Sequence, residues 1–187
     1  MTSESIPVEI RGMTPEDVSP VQELLGRIPQ GEHAFLHEDI RDPQVVEGWA
    51  RDAESPDRNR LIAFVDGMPV GIAAVVRGRG WSGHVGHLHL VVEPAHRGRG
   101  LARALARAAL AAAVQLQVTK LVVEVVADQE PTVAMFAGLG FEPEGLFKDQ
   151  VQPPDGGCHD LLVLSHFVEE MWSTMATVGI DEAVQTG

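Results

Sequence analysis

The stretch from His84 to Ala127 constrains the fold more than any other part of the chain. His84–Val92 is β-prone, and Pro94 stops it because proline cannot donate to a ladder. Gly98 and Gly100 follow, then a segment with eight alanines between Leu101 and Val118, a composition of very high helix propensity. The spacing predicts a helix from Leu101 to about Gln117, with Leu101, Leu105, Ala108, Ala112 and Leu116 as its buried stripe. Leu121–Ala127 is nearly all apolar, as expected of a strand covered on both faces. Strand, helix, strand in this order predicts a parallel βαβ unit.

Weaker signals flank this unit. Val8–Arg11 is short and β-like. Thr14 and Pro15 mark a helix start as N-cap and first helical residue, with the helix running to about Arg27. Gln30–Asp42 is ambiguous, and Pro43–Arg51 is expected to be helical. Leu61–Val65 and Pro69–Val76, joined through Asp66-Gly67, predict a hairpin. A short helix over Thr132–Leu139 precedes a closing hairpin of Leu146–Gln152 and Cys158–Leu164. An amphipathic C-terminal helix is expected at about 165–178, carrying Phe167, Met171 and Met175, either packed on its own domain or forming a homodimer interface.

A chain of 187 residues can bury a full core as a single domain, expected over residues 1–187. One cysteine, Cys158, allows no internal disulfide. The N-terminus lacks the basic and apolar regions of a secretory signal, and no apolar run nears the roughly 20 residues that span a bilayer. A soluble, cytoplasmic protein is expected, with no membrane partner. The net charge of −13 argues against nucleic-acid binding. It favours a cationic partner or serves solubility alone. Locally the sign reverses: Pro94–Val123 has no Asp or Glu, yet holds Arg97, Arg99, Arg103, Arg107 and Lys120. Such a site suits an anionic ligand.

The turn Arg97-Gly98-Arg99-Gly100-Leu101-Ala102 supplies what a pyrophosphate needs. The first turn of a helix has unpaired N–H groups and positive partial charge, and glycines let the backbone approach closely. A P-loop would need Gly-Lys-Ser/Thr, and a dinucleotide fingerprint a glycine at position 103, which is Arg103. Gly78-Arg-Gly80-Trp-Ser-Gly83 fits G-x-G-x-x-G but lies between two strands and is expected to be a loop.

On these residues the chain resembles the GNAT superfamily of acyl-CoA-dependent N-acyltransferases, whose signature Arg/Gln-x-x-Gly-x-Gly/Ala follows a strand ending in Val-x-Pro. Here it stands as Arg97 to Ala102 after Val92-Glu93-Pro94. Ile10-Arg11 with Thr14-Pro15-Glu16-Asp17, Leu139-Gly140-Phe141, and Lys148-Asp149 through His159-Asp160-Leu161 extend the likeness over roughly residues 8 to 165. The resemblance implies an α/β (α+β) fold: a mixed, mainly antiparallel sheet, helices on both faces, and a splayed pair of parallel central strands. It implies acetyl-CoA as co-substrate and no metal. Pyrophosphate would sit on the amides of Arg97, Gly98, Arg99, Gly100, Leu101 and Ala102. The pantetheine arm would bond to backbone near Leu90 and Val92, with an oxyanion donor around Val91–Val92. Gln129, Thr132 and Phe136 would lie near the thiol.

Acetyl transfer to a primary amine needs a base, because an alkylamine of pKa about 10.4 is mostly protonated at neutral pH. His87 holds the position where many GNAT members carry glutamate, and His89 shares its strand face. An imidazole titrating near about 6.5 suits the task, though either ring could simply hydrogen-bond in a groove. Many GNAT enzymes use a tyrosine as acid where this chain has Phe136, and the chain has no tyrosine. Water, a histidine or unassisted departure of the thiolate would serve instead. A non-catalytic acyl-CoA-binding domain and a transferase for longer acyl groups remain as alternatives. The acceptor is a small-molecule or protein amine, with acidity pointing to a polyamine, an aminoglycoside or a protein lysine.

Four further features carry other readings. Cys158 could shuttle an acyl group or be a buried thiol. His33 and His37, four apart, could chelate a metal if helical, but no third ligand is evident. His159 beside Asp160 could be an oriented imidazole or a strand-end hydrogen bond. Trp49 and Trp81 could edge the acceptor pocket or simply pack.

Overall fold

The computed structural model describes residues 8–29, 32, 40, 42–153 and 156–168. Seven strands form one sheet in the order β1-β2-β3-β4-β5-β7-β6. They are β1 Val8–Gly12, β2 Arg58–Val65, β3 Met68–Arg77, β4 Val85–Val92, β5 Lys120–Val126, β6 Glu142–Val151 and β7 His159–Phe167. Every neighbouring pair is antiparallel except β4 and β5. The helices with both ends among the described residues are α1 Val18–Gly26, α2 Pro43–Arg51, α3 Leu101–Gln115 and α4 Glu130–Ala137. The mixed sheet and the βαβ unit at its centre are as the sequence predicts.

Two apolar clusters sandwich the sheet. Leu101, Leu105, Ala109 and Ala113 of α3 and Phe136 of α4 pack with Val75, Leu88, Leu121, Val123 and Val125 on one face. Val21 and Leu25 of α1 and Val46 and Trp49 of α2 pack with Ile62, Phe64 and Ile72 on the other. The α3 stripe is wider than predicted: Ala106 and Ala109 are fully buried, whereas Ala108 is only half-buried. An alanine face lets a helix lie close to the sheet, so more of its circumference meets the strands.

The N-terminal cap forms with a twist on its expected chemistry. Thr14 precedes a short 3-10 turn, Pro15–Asp17, that leads into α1. The Asp17 carboxylate accepts from the Thr14 N–H at 2.8 Å, the Thr14 hydroxyl at 2.8 Å and both Arg11 terminal nitrogens at 2.7 Å. The Arg11 hydrogen bonds, outweighing burial, hold the Asp17 carboxyl at about 2, below its usual 3.8.

The expected helix at about 165–178 needs correction at its start. Ser165, His166 and Phe167 are the last residues of β7, paired with Val122, Leu121 and Lys120. Those residues complete the β5 ladder, and pairing a central strand outweighs local helical periodicity. Val168 is helical, and the remainder of that call, with Met171 and Met175, lies outside the described residues. So do His33, His37 and most of Gln30–Asp42.

Candidate functional site

The site forms where β4 and β5 part company. Their parallel pairing covers Val85↔Lys120, Gly86↔Leu121, His87↔Val122 and Leu88↔Val123, and then stops. Beyond it β4 stays paired to β3 as far as Val92, and β5 stays paired to β7 as far as Val126. Each strand is thus held by its outer neighbour while the two diverge, leaving a backbone-lined gap. In an antiparallel pair alternate residues aim both polar groups at the partner. Gly78 donates to the Val85 carbonyl and Glu93 to the Val70 carbonyl, so the odd-numbered residues of β4 face β3. Leu90 and Val92 therefore turn their N–H and C=O groups toward the gap. Val91 does not: its amide belongs to the β3 ladder, so of the strand's last residues only Leu90 and Val92 present an N–H to the gap.

The gap leads to the turn before α3. Gly98 has φ +73° and Gly100 has φ +81°, a left-handed conformation that side chains rarely adopt, and neither would bring a Cβ within 4 Å of another atom. Gly100 is the N-cap of α3 and no side chain caps it. Among the described residues the amides from Gly98 to Arg103 donate no hydrogen bond; the first amide of the helix to do so is that of Ala104, to Gly100 at 3.0 Å. Open backbone donors at a positive helix end fit a diphosphate.

Neighbouring side chains set this turn in place. Arg97 donates from Nε to the Val92 carbonyl at 2.9 Å and from its terminal nitrogens to Glu32 at 3.0 and 2.5 Å. Its guanidinium is engaged within the protein, so the free counter-charge of the turn falls to Arg99. Glu93, 8% exposed, accepts from Arg27 at 2.8 Å and contacts His96 at 3.1 Å. Arg27 also donates to the Pro69 carbonyl at 2.9 Å, tying α1 to the end of β4. Glu93 is the variable residue of Val-x-Pro, and nothing in the sequence marks it, because its burial and its Arg27 partner are set by packing.

Just beyond β5, Gln129 is the N-cap of α4, with Thr132 in the first turn of the helix; both are half-buried. Phe136 is 1% exposed, its ring 5.2 Å from Phe141 and set edge-on to it. It is a core residue and supplies no proton.

The two histidines separate. Gly86 and Leu88 face α3, so His87, His89 and Val91 face the α1–α2 side. His87 is exposed and sits where β4 and β5 are still paired. His89 is half-buried, one step past the last pair, and lines a solvent-open cleft of about 210 Å³ together with Trp49, Arg60, Ala74, Leu90 and Val91. Continuing the register sets Glu124 of β5 level with His89 on the opposite lip of the gap. Glu124 shares the face of Val122, which pairs with His87, because alternate strand residues share a face. Sequence spacing alone could not pair them, since thirty-four residues intervene and only the parallel register sets them level.

Other sequence candidates fall elsewhere. Trp81 is 95% exposed in the β3–β4 connection, where Gly80–Ser82 is a 3-10 turn and opens no longer helix. Cys158 is exposed rather than buried. His159 contacts Asp128 at 2.8 Å, and Asp160 accepts instead from the Asp149 amide at 2.9 Å. No helix among the described residues is long and apolar enough to cross a membrane.

Residues 21–141 match the profile of the acetyltransferase (GNAT) family. Curated proteins give no match. Among solved structures, a ribosomal-protein-alanine N-acetyltransferase from Brucella melitensis is 24% identical, with 85% of this chain and 99% of that chain covered and a TM-score of 0.74. The Salmonella typhimurium protein yncA, solved with its cofactor acetyl-CoA, is 20% identical over 87% and 95%, with a TM-score of 0.74. A GNAT-family acetyltransferase from Streptococcus pneumoniae is 20% identical over 86% and 99%, with a TM-score of 0.73. At these identities the likeness is one of fold.

Proposed function

The chain belongs to the GNAT acetyltransferase family, and from that premise we propose that it moves acetyl from acetyl-CoA to a primary amine by direct attack, with His89 as base. The observation that carries this reading is the splay of β4 from β5 beyond Leu88 and Val123, which runs into the open amides of Gly98 to Arg103. That path has backbone donors for a diphosphate at one end and unpaired strand edge for an amide-bearing arm at the other.

Acetyl-CoA supplies an activated carbonyl: a C–N bond forms, the C–S bond breaks, and its electron pair leaves on sulfur. The chain's own contributions are positional and protonic. Leu90 and Val92 offer N–H groups toward the gap, where one can stabilise the developing oxyanion. His89 takes a proton from the incoming ammonium group, directly or through one water, and Glu124 on the facing lip offers a second acceptor. Phe136 cannot reprotonate sulfur. A thiol of pKa about 8.5 leaves tolerably as thiolate at neutral pH, and water then supplies its proton.

The test is thiol release from acetyl-CoA across an amine panel, with coenzyme A affinity measured in parallel. Release with at least one amine, lost in His89→Ala with coenzyme A affinity intact, supports the reading. Tight coenzyme A binding with no release for any amine would make the chain an acyl-CoA-binding domain instead.

A further inference from the structure

The donor turn has a buried carboxylate at its root. Glu93 follows the last residue of β4 and is 8% exposed, in a segment that leads to the open amides of Gly98 to Arg103. A buried charge is stable only with partners, and an uncompensated carboxylate beside an anion site repels the anion. Each carboxylate oxygen of Glu93 has one partner. Oε1 accepts from Arg27 Nε at 2.8 Å, and Oε2 lies 3.1 Å from His96 Nδ1.

The two partners contribute differently. His96 closes the 3-10 turn Pro94–His96, and Gly98 follows after a single residue. A neutral imidazole can present its Nδ1–H to the carboxylate, so this contact sets a position without requiring a charge. Arg27 is permanently charged. It is the C-cap of α1, where a cation is favoured, and a terminal nitrogen also donates to the Pro69 carbonyl at 2.9 Å. The guanidinium is thus fixed between the end of α1, the start of β3 and the residue after β4.

We propose that Arg27 is a positioning residue for coenzyme A: it cancels the Glu93 charge that the diphosphate would otherwise meet, and it holds the carboxylate against which His96 and the start of the turn are set. This rests on the reading that the diphosphate sits on the amides of Gly98 to Arg103. The effect of Arg27 runs through Glu93. Removing Arg27 alone leaves a buried, uncompensated carboxylate, which is worse than removing both members of the pair. A residue that only packed α1 against β4 would give the reverse order, with the double variant the weakest.

Calorimetric titration with coenzyme A of the wild type, Arg27→Gln, Glu93→Gln and the double variant tests this. Arg27→Gln is expected to weaken binding by about a hundredfold, and the double variant by only about tenfold, as Glu93→Gln alone does. The second substitution thus recovers about tenfold of what the first loses. Arg27→Lys, which keeps the charge but not the fork, should stay within about tenfold of the wild type. Should Arg27→Gln not fold, the double variant against Glu93→Gln still decides: affinities within about fivefold support the proposal, and a larger loss in the double variant overturns it. A double variant as weak as Arg27→Gln, or weaker, also overturns it while Gly98→Asp still loses affinity. Unchanged affinity in Gly98→Asp overturns the placement of the diphosphate itself, and this proposal with it.

Discussion

The donor end and the acceptor end of this site are made from different parts of the polypeptide. From Gly98 to Arg103 the groups on offer are backbone amides, and the side chain of Arg97 is engaged with Glu32 and the Val92 carbonyl. The cleft is lined by side chains, among them Arg60, Trp49 and His89, brought together from three elements. A backbone site needs only that certain residues be small and that the helix begin at the right place. A side-chain site depends on which residue falls on which face of which strand. The first can be shared across a family with little sequence in common, while the second sets what each member acts on.

Substitutions that touch one end and spare the other probe this division. The largest effect is expected for His89→Ala, which should lower kcat by about 10² or more with coenzyme A affinity unchanged, because general-base assistance contributes about that much. His87→Ala, at an exposed position where the strands are still paired, should change kcat less than about threefold, within the few tenths of a kcal/mol typical of surface positions. Equal losses in the two variants would break the assignment of the base.

Gly98→Asp comes next. It puts a carboxylate on the phosphate turn at a φ of +73°, with no atom for its Cβ to meet, so the fold should survive. Charge repulsion and backbone strain together should weaken coenzyme A binding by about thirtyfold or more, a loss of about 2 kcal/mol. Unchanged affinity in a binding titration would remove the diphosphate from this turn.

Glu93→Gln sharpens the comparison, since it alters only the support of the donor end. Loss of the charge facing Arg27 and His96 should loosen the turn and weaken coenzyme A binding by about tenfold, with acceptor KM little changed. A change confined to acceptor KM would mean that the two ends are not separable.

The smallest effect concerns neither end. Asp17→Asn should cost about 1 kcal/mol of stability at neutral pH, since the partner Arg11 is partly exposed. The Asp17 carboxyl is lower in the folded chain, about 2 against 3.8, so its contribution is full above about pH 4 and fades as pH falls toward 2. Urea unfolding of wild type and variant should therefore differ at pH 7 and converge near pH 2.

Legibility followed the same divide. The hairpin through Asp66-Gly67, the α2 boundaries Pro43–Arg51 and the glycine turn that opens α3 were all readable, because turn residues, caps and apolar period act within a few neighbours. The end of β7 was not readable, because Ser165 to Phe167 owe their conformation to β5, some forty residues away. The same holds for Val91, whose amide direction follows from the β3 register, and for Glu93, whose importance comes from Arg27 on another element.

What residue order alone determined is the donor turn, since two glycines allowed left-handed backbone and an alanine-rich run behind them dictate where a helix starts and leave its first amides open. Tertiary structure decided which histidine stands at the gap and which carboxylate of β5 lies level with it. Those relations are set by strand register and by the point where two parallel strands part, and hydrogen bonds between distant segments determine both.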